Sequence, residues 1–213
     1  MFPKELENIL LNLPELVAGK GIWQNNHHEF DVFMHSVECA RYMMEFTDDI
    51  DLIAAAFLHD IGKPSIRILK YVDGVLMEKR PGEPYHKFTG HAAEGEKIVR
   101  AMTYDFFGKF NLNKEKIARL VGAHYFPTSY IKKMRKVHGR DAFIELYRQL
   151  ESELDASGVE RGDLMLLFHA DQKAHGKGDS ASDELSILRF ALLGKPGMKD
   201  RLFELQNKRY THK

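Results

Sequence analysis

The sequence predicts an all-α fold, a helical bundle interrupted by one small β-hairpin around residues 66–79. Three observations predict it. Apolar residues recur at three- and four-residue spacings through most of the chain, which is the period of a helix with one buried face. Asp or Asn stands just before several of these runs, where its side chain can cap the first turn. Only between Pro64 and Gly90 does the pattern change, to β-branched and apolar residues about an Asp-Gly pair.

In chain order, "VFMHSVECARYMMEF" (Val32–Phe46) is a helix with Asp31 as its N-cap, and "DDIDLIAAAFLHD" opens a second with Asp49 or Asp51 as cap. The short link between them predicts an antiparallel pair. "SIRILKYVDGVLMEKRPGEPYHKF" contains the hairpin, turning at Asp73-Gly74. Thr89 is placed to cap "GHAAEGEKIVRAMTYDFF", and Asn113 to cap "KEKIARLVGAHY" before Pro127 interrupts. Further helices fall at about 130–137, 140–154, 160–174, 182–192 and 197–208. Gly176, Gly178, Asp179 and Ser180 form a loop, and Gly194, Pro196 and Gly197 punctuate the last helical pair. With no internal repeat or low-complexity tract, residues 1–213 read as one domain with a C-terminal helical extension.

Composition narrows the function classes. At 44% hydrophobic and 29% charged, the chain is of ordinary globular type. Its 31 basic residues balance 31 acidic ones, so no net field draws it to nucleic acid or an anionic membrane. The local basic run "YIKKMRKVHGR" at 130–140 is the one feature suited to guiding a polyanion, although short charge runs are more often the solvated face of a short helix. Cys39 is the single cysteine, so no intrachain disulfide forms. The N-terminal stretch carries glutamates within its apolar pattern and does not resemble a secretory signal. No window approaches the ~20 apolar residues of a membrane span. A cytoplasmic protein without a membrane partner is expected; the oligomeric state stays open.

The informative residues are polar ones in apolar phase. His35 shares a helical face with Cys39, Tyr42, Met43 and Phe46; His59 with Leu52, Ala55 and Ala56; Asp60 with Ile53, Ala56 and Phe57. His124 falls with Ile117, Leu120 and Val121, and Asp171 with Leu164, Leu167 and Phe168. A buried carboxylate is unfavourable by several kcal/mol unless paired or coordinated. These groups therefore need each other or a cation, whereas any one histidine alone reads as a hydrogen-bonded core residue. Imidazole with carboxylate suits Zn, Fe or Mn. No C-x-x-C pair or H-E-x-x-H run is present.

At these residues the chain resembles the HD-domain phosphohydrolase superfamily: a histidine on one helix, a His-Asp doublet ending the next, and a distant aspartate. The resemblance implies a metal-binding role for His35, His59, Asp60 and Asp171. In two-metal members two more histidines intervene, and His91 in "FTGHAAEG" and His124 in "VGAHYFP" hold those places. "QNNHHEFDVFMHS", "HDIGKP", "FTGHAAEG" and "HADQKAHG" together resemble the HD domain of bacterial tRNA nucleotidyltransferases and poly(A) polymerases over about residues 24–178. No nucleotidyltransferase head precedes them, so nucleotide addition is not expected. The Gly-Tyr-Pro signature of the cyclic-di-GMP phosphodiesterase branch is absent.

The resemblance implies a metal-dependent phosphomonoesterase or phosphodiesterase acting on a nucleotide or nucleic-acid phosphate, using one or two divalent ions (Mn, Fe, Ni, Co or Zn). Asp60 would bridge the ions. Lys63 would stabilise phosphate charge, with Arg67 and Lys87 as further substrate-binding candidates beside His86, on a hairpin that flanks the doublet as a rim. His175 would orient Asp171. His27, His28 and Asp31 would brace His35 or donate a proton, or be exposed loop residues. The competing reading is a non-catalytic regulatory or RNA-binding HD-domain protein, which loss of a ligand would favour; none is missing.

Overall fold

The computed structural model describes residues 2–25, 28–176 and 183–211, with side chains to 208. His27 and the loop residues Gly178, Asp179 and Ser180 lie outside the described residues. The N-terminal stretch forms α1 (Lys4–Leu11) and a short α2 (Pro14–Val17), neither of which periodicity had singled out. Buried Leu6, Leu10 and Leu16 tie both into the core.

α3 (Val32–Phe46) begins where expected, with the Asp31 carboxylate accepting the Met34 N–H at 2.8 Å. α4 (Ile50–Leu58) is capped by Asp49, which accepts from the N–H groups of Asp51 and Leu52. Every residue from Leu52 to Leu58 is buried, so α4 is apolar all round and sits at the centre of the bundle. A short α5 (Lys63–Ile66) follows, with Pro64 in its first turn.

The excursion comprises β1 (Ile68–Leu69), β2 (Tyr71–Val72), β3 (Val75–Leu76) and β4 (His86–Lys87). β2 pairs with β3 and β1 with β4, both antiparallel. Asp73 and Gly74 both have positive φ, 50° and 79°, the backbone that a tight two-residue hairpin turn demands. The excursion extends past residue 79 because β4 returns to pair with β1, a nonlocal contact that no local pattern announces.

Then come α6 (His91–Ala101), α7 (Phe106–Lys109), α8 (Lys114–Ala123), α9 (Phe126–Met134), α10 (Arg140–Ser157), α11 (Arg161–Lys173), α12 (Asp183–Leu192) and α13 (Met198–Thr211). Asn113 caps α8 through the Lys116 N–H. Three details differ from expectation. Gly90, at φ 88°, holds the N-cap position of α6 instead of Thr89. α6 stops at Ala101, where Lys114 Nζ donates to the carbonyls of Arg100 and Met102 and so satisfies groups a longer helix would have used. Pro127 lies in the first turn of α9, starting a helix where it lacks no needed N–H. α4 packs against α3, α8 and α11, and α8 against α6; these contacts bring together the residues considered next.

Candidate metal centre

α4 drives its apolar body into the core, so the residues at its end arrive buried as well. His59 is its C-cap and Asp60 follows, each 1% exposed. Gly62 then permits a close approach: a Cβ there would strike the His91 carbonyl and the Gly95 N–H of α6. That contact sets His91, the first residue of α6, against the doublet. His124 is the C-cap of α8; His35 comes from α3 and Asp171 from α11.

Two clusters result, joined by Asp60. In one, His35 Nε2 lies 2.9 Å from Asp171 Oδ1 and 3.2 Å from His59 Nε2. Asp60 Oδ2 stands 3.2 Å from His59 Nε2 and 3.5 Å from His35 Nε2. In the other, the Nε2 atoms of His91 and His124 are 3.1 Å apart, with Asp60 Oδ1 3.5 Å and 3.6 Å from them.

The tautomers follow from the other ring nitrogens. His59 Nδ1 faces the Ala56 carbonyl at 2.8 Å, His91 Nδ1 that of Phe88 at 2.8 Å, His124 Nδ1 that of Val121 at 2.6 Å and His35 Nδ1 that of Ala174 at 3.2 Å. A carbonyl only accepts, so each Nδ1 is assigned a proton and each ring turns its Nε2 toward the cluster. The Nε2 atoms of His59 and His35 and those of His91 and His124 face each other at 3.2 Å and 3.1 Å. Two ring nitrogens at such a distance suit a shared cation, a proton or a metal ion.

The electrostatics favour the metal. Burial, with Lys63 nearby, pushes the His91 imidazole down to about 3, so it stays neutral near pH 7. Burial pushes the Asp60 carboxyl up, but His59 and Lys63 outweigh it and hold it well below the usual carboxylate range. Asp171 likewise stays ionised, burial being overcome by the bond and charge of His35. Asp60 Oδ1 is buried with no hydrogen-bond partner, an exceptional condition for an ionised oxygen. Imidazole nitrogen and carboxylate oxygen without thiolate fit a divalent transition ion; Cys39 is buried in the apolar core. The groups His35/His59/Asp171 and Asp60/His91/His124 each offer ligand atoms within 4.8 Å of one another.

The surroundings depart from expectation in places. Lys63 is buried, its ammonium 2.5 Å from Asp60 Oδ2 and 2.5 Å from Gln24 Oε1. Arg67 and Lys87 are exposed beside the β1–β4 pair and, among the described residues, make no hydrogen bond or ion pair with either cluster. His86 Nδ1 is 3.1 Å from the Trp23 carbonyl. Both Asp31 oxygens are occupied by backbone N–H groups, of Met34 and Gly21, so Asp31 is a cap and not a brace for His35. His28 does adjoin His35, ring edge to face at 4.9 Å, and packs on His175 at 4.2 Å. His175 Nε2 is 3.8 Å from Asp171 Oδ1, and His28, His35 and His175 form a third group of potential ligands.

Two neighbours escaped the sequence reading. Tyr125 packs its ring 5.0 Å from His91 and accepts from Lys132 Nζ at 2.6 Å, which brings the basic run to the edge of the centre. Gln24, a loop residue without helical periodicity, opens the stretch "QNNHHEFDVFMHS" but was given no role of its own.

Comparison with known proteins supplies one match. A family model described as HD domain matches residues 32–156, more than half of the chain. No curated protein and no solved structure matches it.

Proposed function

The chain belongs to the HD-domain family, generally metal-dependent phosphohydrolases, and from that premise we propose that it hydrolyses a phosphate ester of a nucleotide or nucleic-acid end. The observation that carries this reading is the set of four inward Nε2 atoms about two ionised carboxylates. His35, His59, Asp171 and one oxygen of Asp60 would hold one divalent ion; His91, His124 and the other oxygen of Asp60 would hold a second. Such ions supply positive charge to a phosphoryl group and lower the pKa of water. Asp60 places one oxygen in each cluster, so it ties the two together. Lys63, ion-paired to Asp60, keeps one N–H free for a phosphate oxygen, since an ammonium has three donors and two are used.

The likeness of the motifs to the HD domain of tRNA nucleotidyltransferases supports the nucleotide part of this reading, with Arg67 and Lys87 as outer contacts to a longer substrate. One domain over 1–213 is part of the proposal too, supported by a continuous apolar cluster from Phe2 to Leu202. No helix among the described residues is long and apolar enough to cross a membrane. Metal analysis of protein purified without added metal, with a phosphatase and phosphodiesterase panel under Mn, Ni, Co, Fe and Mg, tests it. Bound transition metal with ion-dependent turnover is expected. Folded, metal-loaded protein with no turnover under any ion would overturn the enzyme reading in favour of a binding domain.

A further inference from the structure

Gln24 lies in the loop before α3 and is 3% exposed. Lys63 Nζ donates to its Oε1 at 2.5 Å and to Asp60 Oδ2 at 2.5 Å. Because an ammonium cannot accept, the amide atom facing it must be oxygen, and chemistry settles the orientation. The amide nitrogen is thereby turned away from Lys63. Gln24 Nε2 is buried with no hydrogen-bond partner, although buried donors are nearly always satisfied.

Described residues on either side of Gln24 are tied to the rest of the fold through their backbone. The His86 N–H donates to the Trp23 carbonyl at 3.0 Å, the Glu29 N–H donates to the His175 carbonyl at 2.9 Å, and Lys79 donates to the Glu29 carbonyl. One ammonium separates the amide from the carboxylate that joins the two histidine clusters. What such a place lacks is an acceptor next to a positive charge, and a phosphoryl group brings oxygens of that kind.

We infer that Gln24 binds substrate: its Nε2 donates to a non-bridging phosphoryl oxygen, while its Oε1 holds Lys63 beside the same group. A neutral amide contributes direction there without adding charge to a centre already rich in cations. The inference rests on the phosphohydrolase reading but fails separately from it.

Gln24→Met keeps the side-chain length and removes both polar atoms; Gln24→Glu keeps an acceptor for Lys63 and replaces the donor with an oxygen. On metal-loaded protein, ions per chain, melting temperature and inorganic phosphate affinity by titration calorimetry are measured, with kcat and KM for any ester the wild type hydrolyses. Both variants should keep their ions and melt within a few degrees of wild type. Phosphate affinity should fall about 10- to 100-fold in Gln24→Met, the worth of one hydrogen bond to a charged group, and further in Gln24→Glu. Should Gln24→Met not fold, Gln24→Glu carries the test. Phosphate affinity within twofold of wild type, or loss of ions from both variants, would overturn the inference, as would a metal-loaded wild type that binds no phosphate. Wild-type phosphate binding that depends on Gln24, without turnover of any ester, would sink the hydrolase reading and leave this binding role standing.

Discussion

Replacing Asp60 with Asn tests whether one carboxylate serves two ions. Asp60 Oδ1 faces His91 and His124, and Oδ2 faces His59 and His35, so the loss of charge falls on both clusters at once. The metal-free variant should still fold: its amide oxygen can accept from Lys63 while its nitrogen donates toward His91 and His124. Metal affinity should not survive so well. Outer-shell changes already weaken sites about 10- to 100-fold, so about 100-fold per ion is a lower bound for a shared ligand. At free metal about 100 times the dissociation constant, each ion stabilises the wild type by about 2.7 kcal/mol. For the 213-residue chain that is about 5 °C per ion, at roughly 2 °C per kcal/mol. In Asp60→Asn the same metal concentration only equals the weakened constant, leaving about 0.4 kcal/mol, or about 1 °C, per ion. Melting curves with and without metal, read beside metal content, check this. A variant that binds two ions and shows the full wild-type shift would refute the shared carboxylate.

Other outcomes follow from the same geometry. His91→Ala should lose one ion and keep the other, by metal analysis on folded protein, since its nitrogen faces only the Asp60 Oδ1 side. Gly62→Ala should destabilise by about 2–3 kcal/mol or more in urea unfolding and reduce metal content, because the added methyl meets the backbone of α6 and backbone cannot step aside. Asp49→Ala should be destabilised by about 1–2 kcal/mol at pH 7 by loss of the α4 cap. Burial pushes the Asp49 carboxyl up, but bonds from Lys116 and from the Leu52 and Asp51 N–H groups hold it below its usual value. Its stabilisation is therefore full above the unfolded pKa and is lost as pH falls through the folded one, so the gap to Asp49→Ala should close below about pH 4.

The sequence was most readable where local signals agreed. In α3 and α8 a capping Asp or Asn, a 3.6-residue period and a buried face pointed to one answer, and both helices begin at the expected residue. The helical phase of His35, His59, Asp60 and His124 turned them inward, and all four are buried. Nonlocal contacts were the hidden part. β4 depends on β1, and the end of α6 depends on Lys114 from the start of α8. Gln24 becomes notable only once Lys63 and Asp60 lie beside it.

Three of the four inward histidines are aimed by their own chain: His59, His91 and His124 each bind the carbonyl three residues earlier, of Ala56, Phe88 and Val121. Ring direction is thus written into each helix end, while the spacing between rings is left to how the helices rest on one another. Volume changes in the apolar seam between α6 and α8 would then stretch or narrow the bite of His91 and His124 without rotating either ring. On the two-ion reading proposed above, metal preference can drift through the core while every ligand stays the same.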